Sequence, residues 1–238
     1  MSPLKKLLTV VIPTKNEATN ITRCIDSIIA QHNSEGIHIM VADANSTDGT
    51  QEIVQELART RAYHAWIELI PGGSPSKGRN LGLKKCKTQT IVFIDADVEL
   101  SHSHMLYETC HLLLGKYHLI AAPLATRSGY PSNIAYWAFN MGAKLIARKH
   151  PFAVGSFFAT RTYNINLLGG FNETLIHSED WELSQKYPVK KFKRLTYPVI
   201  VDDRRFKKFG YFNMLKTMFF SYTRGLEYMA KDNGYWCS

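Results

Sequence analysis

The segment IVFIDADVEL, residues 91–100, is apolar enough to be a core strand, yet Asp95 and Asp97 stand two positions apart at its far end. Residues i and i+2 of a strand point to the same side, so this spacing predicts two carboxylates aimed at one object beyond the sheet edge. Unpaired carboxylates there repel each other, and a hard divalent cation relieves that repulsion. Mg2+ or Mn2+ takes one or two protein carboxylates and fills its other positions with water and substrate phosphate oxygens. D-x-D alone also suits a pair of turn or capping aspartates, so its neighbours in the sequence must decide.

Asp43 closes a second apolar run, IHIMVAD, where a carboxylate must be hydrogen-bonded or face a ligand; it can accept from a nucleobase N–H. In SKGRNLG (76–82), Lys77 and Arg79 fall where a turn meets a helix N-terminus, a place that attracts anions. Arg79 there suits a diphosphate, or equally plain solvent. HSEDWEL (177–183) offers Glu179 and Asp180. They fit the acidic first turn of a helix capped by Ser178, or they make Asp180 a general base that deprotonates an acceptor hydroxyl, a role worth about 10² to 10⁴ in rate. Asp48 and Gln51 read as a D-x-x-Q helix start and so as capping.

These residues need a frame to hold them. Apolar runs at 7–13, 37–43, 66–70 and 90–95 read as strands, separated by helices that carry Ile21, Cys24, Ile25, Ile28 and Ile29, then Ile53, Val54 and Leu57, then residues near 77–86. A helix near 103–115 and a strand at 118–123 extend the series. Alternating strands and helices with continuous apolar strands predict an α/β fold with a mostly parallel, Rossmann-like sheet covered by helices on both faces. Ligands bind beyond the carboxyl ends of such strands, where the loops 13–17, 43–50, 72–80 and 95–99 collect.

After about residue 125 the alternation gives way to an aromatic segment (133–149), a small-residue strand (155–161), GGF (169–171) and a basic stretch. The expected organisation is one body with a nucleotide-binding half over 1–125, a smaller acceptor-binding half over 126–210, and a C-terminal helix over 211–238 with an apolar stripe from Phe212 to Met229.

Composition narrows the class. A chain of 238 residues with 45% hydrophobic content can bury a substantial core, and its four cysteines form no C-x-x-C pair. With no stretch resembling a secretory signal and no apolar run near the roughly 20 residues of a membrane span, the expected setting is cytoplasmic, with peripheral contact to the inner face of a membrane. The net charge of +9 is concentrated: residues 186–208 hold nine basic and two acidic side chains. Such a patch suits phosphates or an anionic membrane surface. Apolar residues interrupt it and no recognition motif accompanies it, which argues against nucleic acid.

Taken in order, VVIPTKNE, VADANSTDGT, SKGRNLG, FIDADVE, GGFNE and EDWEL resemble the family 2 glycosyltransferases of the GT-A fold over residues 7 to about 205. The resemblance implies that Pro13, Thr14 and Glu17 line the nucleotide pocket, that Asp43 contacts the base, and that Lys77 and Arg79 serve the nucleotide-sugar side. It places Asp95 on the ribose or metal side, Asp97 on Mn2+ or Mg2+, and Asp180 as the base of an inverting transfer. The implied partners are a nucleotide-diphosphate sugar, UDP-linked, and a sugar, lipid-linked or other hydroxyl acceptor. The Q-x-x-R-W motif of processive synthases is absent, so transfer of a single sugar is expected; a further metal ligand is sought among His177, Asp202 and Asp203. Two other readings stay open: a polyprenol-phosphate glycosyltransferase, and a silent nucleotide- or anion-binding module that docks on membranes through the basic patch.

Overall fold

The computed structural model of the protein describes residues 4–204 and 210; the expected C-terminal helix over 211–238 lies outside the described residues. The first half follows the predicted alternation: β1 (Leu8–Thr14), α1 (Ile21–Ile29), β2 (Ile37–Asp43), α2 (Thr50–Thr60), β3 (Ala65–Pro71), α3 (Pro75–Lys85) and β4 (Thr90–Phe93). β1 runs parallel to both β2 and β4, and β2 runs parallel to β3. Along β1, Val10 and Ile12 enter one apolar layer while Val11 enters the other, so the sheet is covered on both faces. That double burial is why these strands read as unbroken apolar runs. α1 contributes Ile21, Cys24, Ile25 and Ile28 to the core, the spacing of one helical face. α3 lies against β1 at Gly82, where an added Cβ would sit 2.5 Å from a Val11 methyl.

The second half adds β5 (Val98–Leu100), α4 (Met105–Leu114), β6 (Leu119–Ala121), β7 (Leu124–Ala125), α5 (Ser132–Ile146), β8 (Phe158–Arg161), α6 (Thr162–Leu167), α7 (Glu179–Gln185), β9 (Phe192–Arg194) and β10 (Val199–Val201). The main sheet has the order β3-β2-β1-β4-β8-β6-β9, and β5-β10-β7 form a small second sheet. β8 enters antiparallel between β4 and β6, so the strand after α4 does not extend the parallel series as a neighbour of β4. After α5 the chain returns beside β4 along this inserted strand and passes into α6 and α7, the last of which carries the acidic segment 179–180.

One expectation is corrected here. β4 ends at Phe93, and Asp95 and Asp97 lie in the turn between β4 and β5. The two carboxylates are therefore not governed by strand alternation, and they meet different partners. No helix among the described residues is long and apolar enough to cross a membrane.

Candidate active site

The loops after β1 and β2 are laced together by side chains. Asn16 N–H donates to Ser46 Oγ at 2.8 Å, Thr47 N–H to Asn16 Oδ1 at 2.9 Å, and Glu17 N–H to Thr50 Oγ1 at 2.9 Å. Asp48 accepts from Ala18 N–H and from Thr50. It ties two loops as well as starting α2, whose N-cap residue is Gly49 in the left-handed region at φ 92°. Gln51 does not reach back to cap; its amide donates to Asp43 Oδ1. Asp43 is buried and also accepts from the Ser46 N–H and hydroxyl. A carboxylate has about four lone-pair sites, so three such bonds leave Asp43 room for roughly one further donor. Thr14 is buried at the end of β1 beside Pro13 and donates to Ile12 O at 3.1 Å.

Arg79 forms the second part of the site. It is 1% exposed, which removes the reading of a solvated surface arginine. Its Nη2 meets Asp95 Oδ1 at 2.8 Å and its Nη1 pairs with Glu179, while Phe171 lies under the guanidinium at 5.3 Å. Three distant pieces of chain converge on one buried cation: α3, the β4–β5 turn and α7. Gly155 makes room for it, because a Cβ there would lie 2.1 Å from Arg79 Nη2. Asn80, the next residue on α3, grips the GGFNE loop by accepting from Phe171 N–H and donating to Phe171 O and Glu173. Lys77 is exposed in the first turn of α3, which Ser74 caps by accepting from Lys77 N–H at 3.3 Å.

Asp180 stands beside this junction. Its Oδ2 accepts from Gly155 N–H and its Oδ1 from Trp181 N–H at 2.7 Å. Burial raises its carboxyl above the ordinary range, to about 7, and the adjacent Glu179 charge adds to the rise; Arg79 and the two N–H donors oppose it. The result is a carboxyl oriented by backbone donors and poised to change charge near neutrality. Ser178 holds the left-handed conformation at the N-cap of α7, and its hydroxyl meets His177 Nδ1 at 3.1 Å instead of capping the helix as the sequence suggested.

The third part is Arg204. It contacts both carboxylate oxygens of Glu17 at 2.8 Å, Asp97 at 3.6 Å and Asp202 at 3.6 Å. Asp203 is buried and accepts from Ser132 on α5, and His177 is buried against Ser178. Among the described residues no three His, Cys, Asp or Glu side chains form a group able to hold a metal by themselves. The donor chemistry nonetheless suits a hard cation: Glu17, Asp97 and Asp202 supply carboxylate oxygens around the Arg204 guanidinium. A divalent ion that takes only one or two protein ligands and the rest from phosphate and water asks for no more.

The structure thus joins Glu17 with Asp97 through Arg204, and Arg79 with Asp95 and, through Glu179, with the neighbourhood of Asp180. Asp43 belongs to the laced loops, and Lys77 stands apart in solvent. Sequence reasoning passed over Glu179 as a first-turn acid and gave Gly155 no role. Glu179 pairs across 100 positions, a separation at which no local spacing carries a signal.

The arrangement defines a class. The sequence profile of glycosyl transferase family 2 matches residues 9–165, and the chain belongs to that family. Among curated relatives, the pre-mycofactocin glycosyltransferase of Mycobacterium tuberculosis H37Rv is 26% identical over 210 residues, covering 83% of this chain and 42% of its own length. The mannosyltransferase PcManGT from Pyrobaculum calidifontis, solved in complex with GDP-Man and Mn2+, has a TM-score of 0.68 at 22% identity, covering 87% of this chain and 59% of that one. Glucosyl-3-phosphoglycerate synthase from Mycobacterium tuberculosis, solved with Mn2+ and UDP-glucose, has a TM-score of 0.60 at 17% identity, covering 96% of this chain and 81% of that one. These likenesses establish the GT-A-type fold. The chain spans less than half the length of the curated relatives it matches.

Proposed function

We propose that the chain is an inverting, metal-dependent glycosyltransferase that moves one sugar from a nucleotide-diphosphate donor, UDP-linked, to an acceptor hydroxyl in cell-envelope glycan or glycolipid synthesis. The observation that carries the reading is the Arg79 junction. It fixes the D-x-D turn, through Asp95, and the base-bearing helix α7, through Glu179, on one buried cation.

In this reading Asp43 and Thr14 hold the nucleotide end, with the remaining acceptor position of Asp43 available to a base N–H. Arg79 positions Asp95 and α7 rather than gripping the diphosphate, since both its Nη atoms are engaged by carboxylates. Lys77, exposed at the start of α3, is free to approach the anionic donor. Asp180 accepts the acceptor's proton as its oxygen attacks the anomeric carbon from the side opposite the leaving diphosphate, and inversion follows. Asp97, with Glu17 and Asp202 nearby, would hold Mn2+ or Mg2+, whose contribution when bound is to stabilise charge gathering on the leaving group. The donors and Mn2+ present in the structural neighbours support the assignment.

The test is thermal stability of the purified chain against a panel of nucleotide sugars, each with Mn2+ and with EDTA. Native-state binding at about 100 times the dissociation constant adds about 2.7 kcal/mol, a readily measured shift. A Mn2+-dependent shift with one nucleotide class is the expected result. Equal stabilisation in EDTA would remove the metal, and no shift with any donor would remove the reading.

A further inference from the structure

We infer that the outer face of α5 is a docking surface for an anionic lipid bilayer. The helix is anchored firmly on its inner side: Ala135, Tyr136, Phe139 and Ala143 are buried, Ser132 donates to Asp203, and the Asn140 side chain brackets the Leu124 backbone at 3.0 and 2.7 Å. Its outer side carries large apolar groups in water: Ile134 at 54%, Trp137 at 65%, Met141 at 43% and Leu145 at 56% exposure. At 3.6 residues per turn these four project within an arc of about 80°. The stripe is therefore one continuous ridge rather than four scattered side chains.

Charge selects the occupant. Lys144 is exposed beside the ridge, and Arg148 and Lys149 are exposed in the turn that follows its C-terminal end. No Asp or Glu occurs between Glu108 and Glu173, whereas that interval holds six Lys and Arg residues. A face with a Trp-bearing apolar ridge, adjoining basic residues and no acidic residue in the surrounding chain matches the acyl and headgroup layers of an anionic membrane. A protein partner would more often bring charges of both signs to its rim. The basic run 186–208 meets α5 away from the ridge residues, through Arg194, which donates to Asn140, and through Asp203, which accepts from Ser132. The helix is also close to the chemistry: Phe139 on the inner side of α5 packs on Phe152 at 5.9 Å, and Phe152 on Trp181, next to Asp180, at 6.2 Å. The inference goes beyond the proposed transfer and does not depend on it.

The experiment is co-sedimentation of the full chain with vesicles of phosphatidylcholine alone and of phosphatidylcholine mixed with phosphatidylglycerol. The wild type is expected to sediment with the mixed vesicles and much less with the neutral ones. Trp137→Gln combined with Leu145→Gln is expected to weaken that binding at least ten-fold. Lys144→Glu combined with Lys149→Glu should weaken it by about five-fold or more per charge, and only on the anionic vesicles. All four side chains are exposed, so both variants should keep the wild-type melting temperature and any donor-induced shift, which separates failure here from failure of the transferase reading. Wild-type vesicle binding in both variants would overturn the proposal, as would a wild type that ignores anionic vesicles. So would a solution dimer that the Trp137 and Leu145 changes dissociate, or a fall of several degrees in their melting temperature without vesicles, since either result would show the ridge covered by protein.

Discussion

In the proposed transfer Asp180 is the base, and its environment dictates a pH signature. Its raised carboxyl must lose a proton to act as a base, so transfer should increase as pH rises through about 7. The stability sign is opposite. Between the ordinary Asp range and about 7 the folded state holds a proton that the unfolded state has lost, so this group's contribution to stability falls as pH rises through that window. Asp180→Asn should remove both dependences, lower transfer by about 10² to 10⁴ and leave donor-induced stabilisation in place. A pH–rate profile with parallel melting curves decides it; full activity in the variant would exclude Asp180 as the base. Arg79 makes a contrasting prediction. Replacing it with Met leaves Glu179 and Asp95 facing each other without their cation, and breaking a buried pair in this way costs about 3–5 kcal/mol. Chemical denaturation should register that loss whether or not a donor is present.

At the scale of elements, the close seating of α3 on β1 sets where Arg79 begins its reach. Gly82→Ala tests it. Inside a helix, Gly→Ala ordinarily gains about 1 kcal/mol. Here the new methyl would meet both Val11 branches, at 2.5 and 2.7 Å, and the stiff β-branched side chain has no rotamer to spare. Overpacking of about 1–3 kcal/mol should win and lower the melting temperature by several degrees; a gain in stability would show that α3 can shift away at little cost. The same elements show what was legible in the sequence. The strands and helices through β4 were readable because burial on both sheet faces imposes continuous apolar runs and the helices keep one apolar face. The loops at the strand ends were readable because polar residues there interrupt those runs. β8 was not, since nothing local in GSFFATR says that it pairs antiparallel with β4 rather than continuing the series. The Asp95 and Asp97 geometry was missed for a related reason: the strand stops at Phe93, two residues short of the pair, and strand boundaries are poorly fixed by hydrophobicity alone.

For the whole molecule, the telling feature is how Arg204 closes the chain on itself. It lies 187 positions from Glu17 and joins that residue to Asp97 and Asp202. A guanidinium held among these carboxylates competes for the ground that a divalent cation would take, so the two should exclude each other. Arg204→Ala is therefore expected to lower the Mn2+ concentration needed to stabilise the donor-free protein by several-fold. Because the Arg204 side chain is about half exposed, its ion pairs contribute little, and the variant without metal should melt within about 1 kcal/mol of the wild type. A Mn2+ titration followed by thermal unfolding measures both quantities together. An unchanged midpoint would mean that the cation binds clear of Glu17 and Asp97. A lower midpoint would make Arg204 the counter-charge that keeps an acidic donor cleft from repelling itself until metal and nucleotide arrive together, and would explain how a site with no three-ligand cage among the described residues stays assembled without metal.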